Sequence, residues 1–129
     1  RFFRSPPNPV DVMFCVLDIE PKACPRPRVA NRRAYYPKTY TDWKKRASSL
    51  MPIFPHCPQG LEIRFIFKRP KRLGKGPRVR HDKRPDLDNL LKAVFDLFEF
   101  DDGKITSISS SKWYAASGED EHILLYWEE

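Results

Sequence analysis

Apolar residues recur along this chain at two spacings, and each spacing predicts a different element. Val12 to Ile19 is apolar on both faces, which predicts a central strand. Residues 20–38 (EPKACPRPRVANRRAYYPK) are too rich in Pro and Arg for a helix, with a short strand expected at Ala34 to Tyr36. Thr39 and Asp42 resemble a capping box with Asp in place of Glu. Tyr40, Trp43, Ala47, Leu50 and Met51 then follow at helical spacing, and Pro52 ends that helix. Leu61, Ile63, Phe65 and Phe67 alternate with Glu62, Arg64, Ile66 and Lys68, predicting a strand with one mainly buried face. Leu87, Leu90, Leu91, Val94 and Phe98 form the clearest apolar helix stripe. Ile105 to Tyr114 and Ile123 to Trp127 read as two strands joined by a polar turn at Gly118. The order strand, helix, strand, helix, strand, strand predicts an α+β fold: a small mixed sheet packed with two helices.

With 129 residues, 40% hydrophobic and 32% charged, the chain is sized for one soluble domain, 1–129. Its apolar runs are too short to span a bilayer. The opening RFFRSPPNPV has no apolar signal-peptide core, and residues 1–11 read as an irregular leader. The first residue is Arg, from which a trimmed or renumbered start is expected. Cys15, Cys24 and Cys57 are odd in number and unrelated in spacing, fitting reduced thiols in a cytosol. The absence of a CxxC or His/Cys cluster argues against zinc.

Charge changes the picture more. The net charge is +7, but residues 1–85 hold 21 bases and 6 acids, while residues 86–129 hold 3 bases and 11 acids. The first part can attract a polyanion and the last can hold a cation. Residues 22–46 carry nine bases against one acid, and 64–84 carry ten against one. From these segments come the candidate DNA-binding residues Arg26, Arg28, Arg32, Arg33, Lys38, Arg69, Lys71, Arg72 and Lys75. Residues 69–84 are too long and too basic for a simple connector, so they are read as functional or disordered, a DNA-facing loop.

The chemistry concentrates in RPDLDNLLKAVFDLFEFDDGKI, residues 84–105. Asp86 occupies an N-cap position. Asp88, Lys92, Asp96 and Glu99 fall on one helix side, opposite the leucine stripe. If the chain folds back after the helix, Asp101 or Asp102 can meet Asp86 and Asp88. Converging carboxylates repel unless a hard divalent cation sits among them, and oxygen ligands indicate Mg²⁺ or Mn²⁺. Each piece also has a plain structural reading: an N-cap, i,i+4 ion pairs with Lys92, and an ordinary DDGK turn.

The run RPDLDNLLKAVFD…DDGKI resembles the signature of the RusA family of Holliday-junction resolvases, and CPRPRVANRRAYYPKTY is similar to that family's opening basic stretch. The resemblance spans about residues 13–127. It implies a small, homodimeric, Mg²⁺-dependent endodeoxyribonuclease of the bacterial cytoplasm, encoded by a bacterium or a phage. It places Asp86 and Asp88 on two metal-binding aspartates, Lys92 on the catalytic lysine, and Asn89 on the Asn beside them. The third metal-binding carboxylate belongs to the acidic pair. Asp102 is the better match, but Asp101 stays open, because Leu97–Phe100 is shorter than the family's usual connection.

The function expected is binding of branched DNA and paired hydrolysis of Holliday junctions. Catalytic residues would be Asp86, Asp88, Lys92 and Asp102, with Asn89 and Asp101 in support. The alternative is a non-catalytic, structure-selective DNA- or RNA-binding protein with a degenerate site; a DxD nucleotide-sugar transferase fits poorly with so short a chain. Tyr35, Tyr36 and Tyr40 could stack on exposed bases, although Tyr40 also begins a core stripe. His81 reads as a plain loop residue. Phe2, Phe3, Trp113 and Trp127 supply apolar material for a dimer interface.

Overall fold

Parallel strands need a long crossover, and the stripe of residues 87–98 supplies it here. The computed structural model describes residues 12–128, the side chain of Asp102 excepted; the leader, with Phe2 and Phe3, lies outside the described residues. The described elements are β1 (Val12–Leu17), β2 (Arg28–Ala30), β3 (Arg33–Tyr35), α1 (Lys38–Leu50), β4 (Gly60–Phe67), β5 (Val79–Arg80), α2 (Leu87–Phe95), β6 (Ser107–Tyr114) and β7 (His122–Glu128). Short 3₁₀ turns lie at Lys71–Leu73 and Asp102–Lys104. One mixed sheet runs β1-β7-β4-β6-β5, and β2 and β3 form a separate ribbon. β4 and β6 are parallel; the other neighbours are antiparallel. The expected α+β fold is borne out.

The core lies between one sheet face and both helices. Leu17, Ile63, Phe65, Ile123 and Leu125 pack with Tyr40, Trp43 and Ala47 of α1 and Leu90, Ala93 and Val94 of α2. The Trp43 indole N–H donates to the Glu20 carbonyl at 2.8 Å, so the segment after β1 is fastened to α1.

Several expectations need correction. Among the described residues β1 is an edge strand, not a central one: Leu17 is buried, but Val12, Phe14 and Val16 are 62, 66 and 42% exposed on the other face. Apolar residues on both faces here mark an uncovered surface among the described residues, not burial on both sides. Ile66 is fully buried, so β4 hides more than the one face its alternation implied. β6 and β7 are joined through the turn at Gly118 as expected, and β4 lies between them in the sheet.

The helix ends also differ. α1 starts at Lys38 behind Pro37, with no side-chain cap bond, so Thr39 and Asp42 form no capping box. Pro37 (φ −56°) already holds a helix-compatible angle. α2 starts where expected but stops at Phe95, continuing only through tighter turns from Leu97 N–H to Val94 and from Phe98 N–H to Phe95. Glu99 therefore lies beyond the helix, and the polar column is cut short. The single strand expected at Ala34 to Tyr36 is one arm of a hairpin whose turn residues, Asn31 (φ 51°) and Arg32 (φ 62°), are both left-handed. Such a turn matches strand twist, but Asn-Gly is its usual sequence; a non-glycine residue such as Arg32 costs about 1 kcal/mol there.

Candidate active site

Asp86 caps α2 in position but not in chemistry. Its backbone is extended (φ −70°, ψ 144°) and its carbonyl accepts the Leu90 N–H, yet its carboxylate makes no cap hydrogen bond. The plain N-cap reading of that side chain is therefore not realised. Asp88 lies in the first helical turn, exposed, with Oδ1 accepting the Asn89 N–H at 2.9 Å. Lys92 is exposed on the same helix and makes no ion pair with Asp88 or Asp96 among the described residues. Two carboxylates and an ammonium thus face solvent within about two helical turns.

The approach to this turn is held by a residue that patterning missed. The Lys112 ammonium on β6 donates to the carbonyls of Lys83 at 2.5 Å and Pro85 at 2.8 Å. These carbonyls lie three residues and one residue before Asp86, so β6 positions the start of α2. The run SISSSKWY hid this lysine, because its serines leave the strand's two faces indistinguishable by hydropathy. His81, read as a plain loop residue, is buried: it stacks on Tyr114 (centroids 4.3 Å, planes 15° apart) and meets Phe67 at 4.5 Å. Its Nδ1 accepts the Lys83 N–H at 3.2 Å. Burial, aided by the Lys112 charge, holds its pKa below the usual value.

Asp96 has a different job from the one expected. Its carboxylate accepts the Tyr40 hydroxyl at 2.9 Å and faces the Cys24 thiol at 3.9 Å. Burial, together with those two partners, raises the Tyr40 pKa, so the hydroxyl stays a donor. Tyr40 is thus core, Tyr36 packs against it at 5.3 Å, and Tyr35 alone of the three is exposed.

The acidic turn does not complete a cluster among the described side chains, where no three His, Cys, Asp or Glu residues come together at metal-binding range. Asp101 spends its Oδ1 on the Gly103 N–H at 3.0 Å. Phe98 and Phe100 pack on Phe54, and Thr106 and Ser107 donate to the Gln59 carbonyl, which ties this turn to the Ser107 end of β6. Lys112, the anchor of Pro85, lies five residues along that strand, roughly 16 Å away. The expected meeting of Asp101 with Asp86 and Asp88 is therefore not seen; the Asp102 side chain lies outside the described residues. The donor set still suits a hard cation, because Mg²⁺ keeps several waters and often takes only one or two carboxylates plus a substrate phosphate.

The basic residues take unequal roles. Arg26, Arg28, Arg32, Arg33, Lys38, Lys71, Arg72 and Lys75 are exposed. Arg69 is committed inward: its guanidinium donates to the carbonyls of Gly74 (2.6 Å), Pro77 (2.7 Å) and Ala115 (3.1 Å). That wrapping, with the Arg78–Glu119 pair at 2.6 Å, makes 69–80 an ordered structure rather than a disordered loop. Arg72 leans over the Tyr114 ring, and Arg80 covers Trp113 at 4.4 Å. Trp127 is buried against Phe54 and is not interface material. A groove of about 880 Å³ opens beside Cys57, Glu62, Arg64 and Tyr126, and it contains neither Asp86 nor Asp88.

A family model described as Endodeoxyribonuclease RusA matches residues 18–120. The chain belongs to the RusA family. The match takes in the hairpin, both helices and every candidate site residue, and it bears out the resemblance carried by DxDN and CPRPR. RusA membership implies endodeoxyribonuclease action on Holliday-junction DNA, with branched DNA as the partner. No curated protein matches the chain. No helix among the described residues is long and apolar enough to cross a membrane.

Proposed function

We propose that the protein is a Mg²⁺-dependent endodeoxyribonuclease that resolves Holliday junctions by hydrolysing phosphodiesters at the start of α2. The observation that carries this reading is the pair Asp86 and Asp88, exposed and uncapped, inside the RusA match. Asp86 and Asp88 would hold the metal, with Asp102 as the third carboxylate; Mn²⁺ has the same ligand preference. When bound, the ion supplies water activation and relief of charge on the phosphate.

The chain's own residues do the rest. Lys92 presents a positive charge on the same helix to a phosphate or leaving oxygen. Lys112 fixes the carbonyls of Lys83 and Pro85, and the Asn89 carbonyl accepts the Cys24 N–H. The exposed bases of 22–46 and 64–84 bind phosphates and offset the acidic site. Arg69 acts through the fold, not by touching DNA.

Symmetric cutting of two strands needs two sites, so the working unit is a homodimer. Val12, Phe14 and Val16 on the open sheet face offer it apolar surface. Incubating the protein with a four-way junction, a linear duplex and a flap, with and without Mg²⁺, tests the reading. Cleavage confined to the junction in Mg²⁺ is expected, and binding without cleavage in any metal favours the non-catalytic alternative.

A further inference from the structure

The β2–β3 ribbon has no pairing to the main sheet, and all six of its strand residues are exposed. Such a small ribbon needs a reason to stand away from the core. Its register sorts its side chains. Arg28 faces Tyr35 and Ala30 faces Arg33, so Arg28, Arg33 and Tyr35 share one face. Val29 and Ala34 share the other, and Val29 is 74% exposed. No acid occurs between Lys22 and Thr41 to neutralise this cationic, aromatic face.

The ribbon's root is fastened to α2 at two points. The Cys24 N–H, before β2, donates to the Asn89 carbonyl at 2.9 Å. Tyr40, after β3, donates to Asp96 at 2.9 Å, and Tyr36 packs against Tyr40 with the rings tilted by 54°. The ribbon therefore leaves the body beside the Asp86–Asn89 turn, with the segments on either side of it fastened to α2.

We propose that this ribbon is a DNA arm whose Arg28, Arg33 and Tyr35 face docks into the groove of the duplex arm carrying the scissile phosphate, held in register with that phosphate by Cys24 and Tyr40. The inference rests on the reading of α2 as the cleavage site. A two-stranded ribbon fits the major groove, which is about 12 Å wide. From Cys24 to Asn31 the chain spans at most about 24 Å. At 3.4 Å per base pair its reach falls within roughly seven base pairs of the cut. Arg32 holds a left-handed turn position at the tip, where glycine is the easier residue, so charge is retained where backbone preference would remove it.

The test uses the full chain, a four-way junction and two variants, Arg28→Gln/Arg33→Gln and Arg32→Gly. Affinity is measured across a salt series in EDTA, cleavage in Mg²⁺, and melting temperature on all three proteins. Hydroxyl-radical footprinting of the bound junction locates the arm. The double variant should lose roughly tenfold in affinity and about 1.8 from the salt slope, at unchanged melting temperature. Arg32→Gly should melt no lower than the parent and still bind more weakly. Its footprint should lose protection within about seven base pairs of the cut. Parent-like affinity and salt slope in both variants overturn the arm, as does a loss of protection only at the crossover. If the parent binds junctions without cutting them and the variants lose binding, the arm stands and the nuclease reading fails. A parent that binds no DNA overturns both.

Discussion

The Lys112 ammonium donates to the Pro85 carbonyl at 2.8 Å, joining β6 to the residue before Asp86. Its second bond, to the Lys83 carbonyl, makes this a clamp rather than a single tether. The exposed carboxylates at the start of α2 inherit their placement from it. Lys112→Met keeps the stem and removes both bonds. Hydrogen bonds from a charged donor are worth about 1.5–3 kcal/mol each, and partial solvation lowers that here. The variant should unfold about 2 kcal/mol more easily and should need more Mg²⁺ for half-maximal cleavage, at unchanged junction affinity. Urea melts and a Mg²⁺ titration read both. An unchanged Mg²⁺ requirement would restrict Lys112 to a stability role.

Arg69 and Arg72 sit in the same basic segment and should respond oppositely. Arg69 is wrapped by carbonyls, so Arg69→Met should cost about 2–3 kcal/mol of stability by leaving them without their donor. Its salt slope for DNA binding should not change. Lys71→Ala/Arg72→Ala should leave the urea midpoint in place and flatten the slope by about 0.9 for each phosphate that is no longer neutralised. Midpoints and slopes measured on the same preparations separate the two roles.

His81 gives the fold an acid sensitivity. Its folded pKa lies below the ordinary 6.5, so the folded state prefers it neutral. Its stabilising contribution is complete above about 6.5 and is lost as pH falls from there through the lower folded value. Glu119 acts lower down. The Arg78 guanidinium pushes its pKa down to about 2, so that contribution is present above 4.5 and is lost as pH falls toward 2. The urea midpoint should fall first as pH drops below 6.5, and His81→Gln should flatten that first slope while leaving the loss below pH 4.5. A first slope unchanged by the substitution would assign it to another group.

Light scattering across a concentration series should show a dimer, and a supercoiled cruciform should be linearised, not merely nicked. Phe14→Glu, on the open sheet face, should yield monomers that leave singly nicked circles. Monomeric parent protein that still linearises the cruciform would rule out the dimer as the working unit.

Much of the fold could be read from the sequence because it rests on local rules. The leucine stripe of α2, the Pro52 stop and the alternation in β4 are backbone periodicities, and each lies close to its expected place. What escaped depends on partners distant in sequence. Asp96 resembles one more carboxylate on a polar face until Tyr40, 56 residues away, donates to it. Arg69 resembles a DNA ligand until the folded segment around it and Ala115 offer their carbonyls. Lys112 is hidden because Ser109, Ser110 and Ser111 erase the hydropathy contrast that assigns a strand's faces. His81 is misread because its burial comes from Phe67 and Tyr114 on two other strands. The Asp86–Asp88–Lys92 group is legible because it lies within about two helical turns.

The central claim is that Asp86 and Asp88 carry metal-dependent cleavage. The most direct measurement is the single-turnover rate of junction cutting by the parent and by Asp88→Asn across a Mg²⁺ series, with junction affinity measured in EDTA. Asp88 is exposed, so the substitution opens no cavity. Parent cleavage should require Mg²⁺, and the variant should melt and bind like the parent but cut roughly 10²–10³-fold more slowly. Parent-like cutting by Asp88→Asn, or cutting by the parent in EDTA, would contradict the claim.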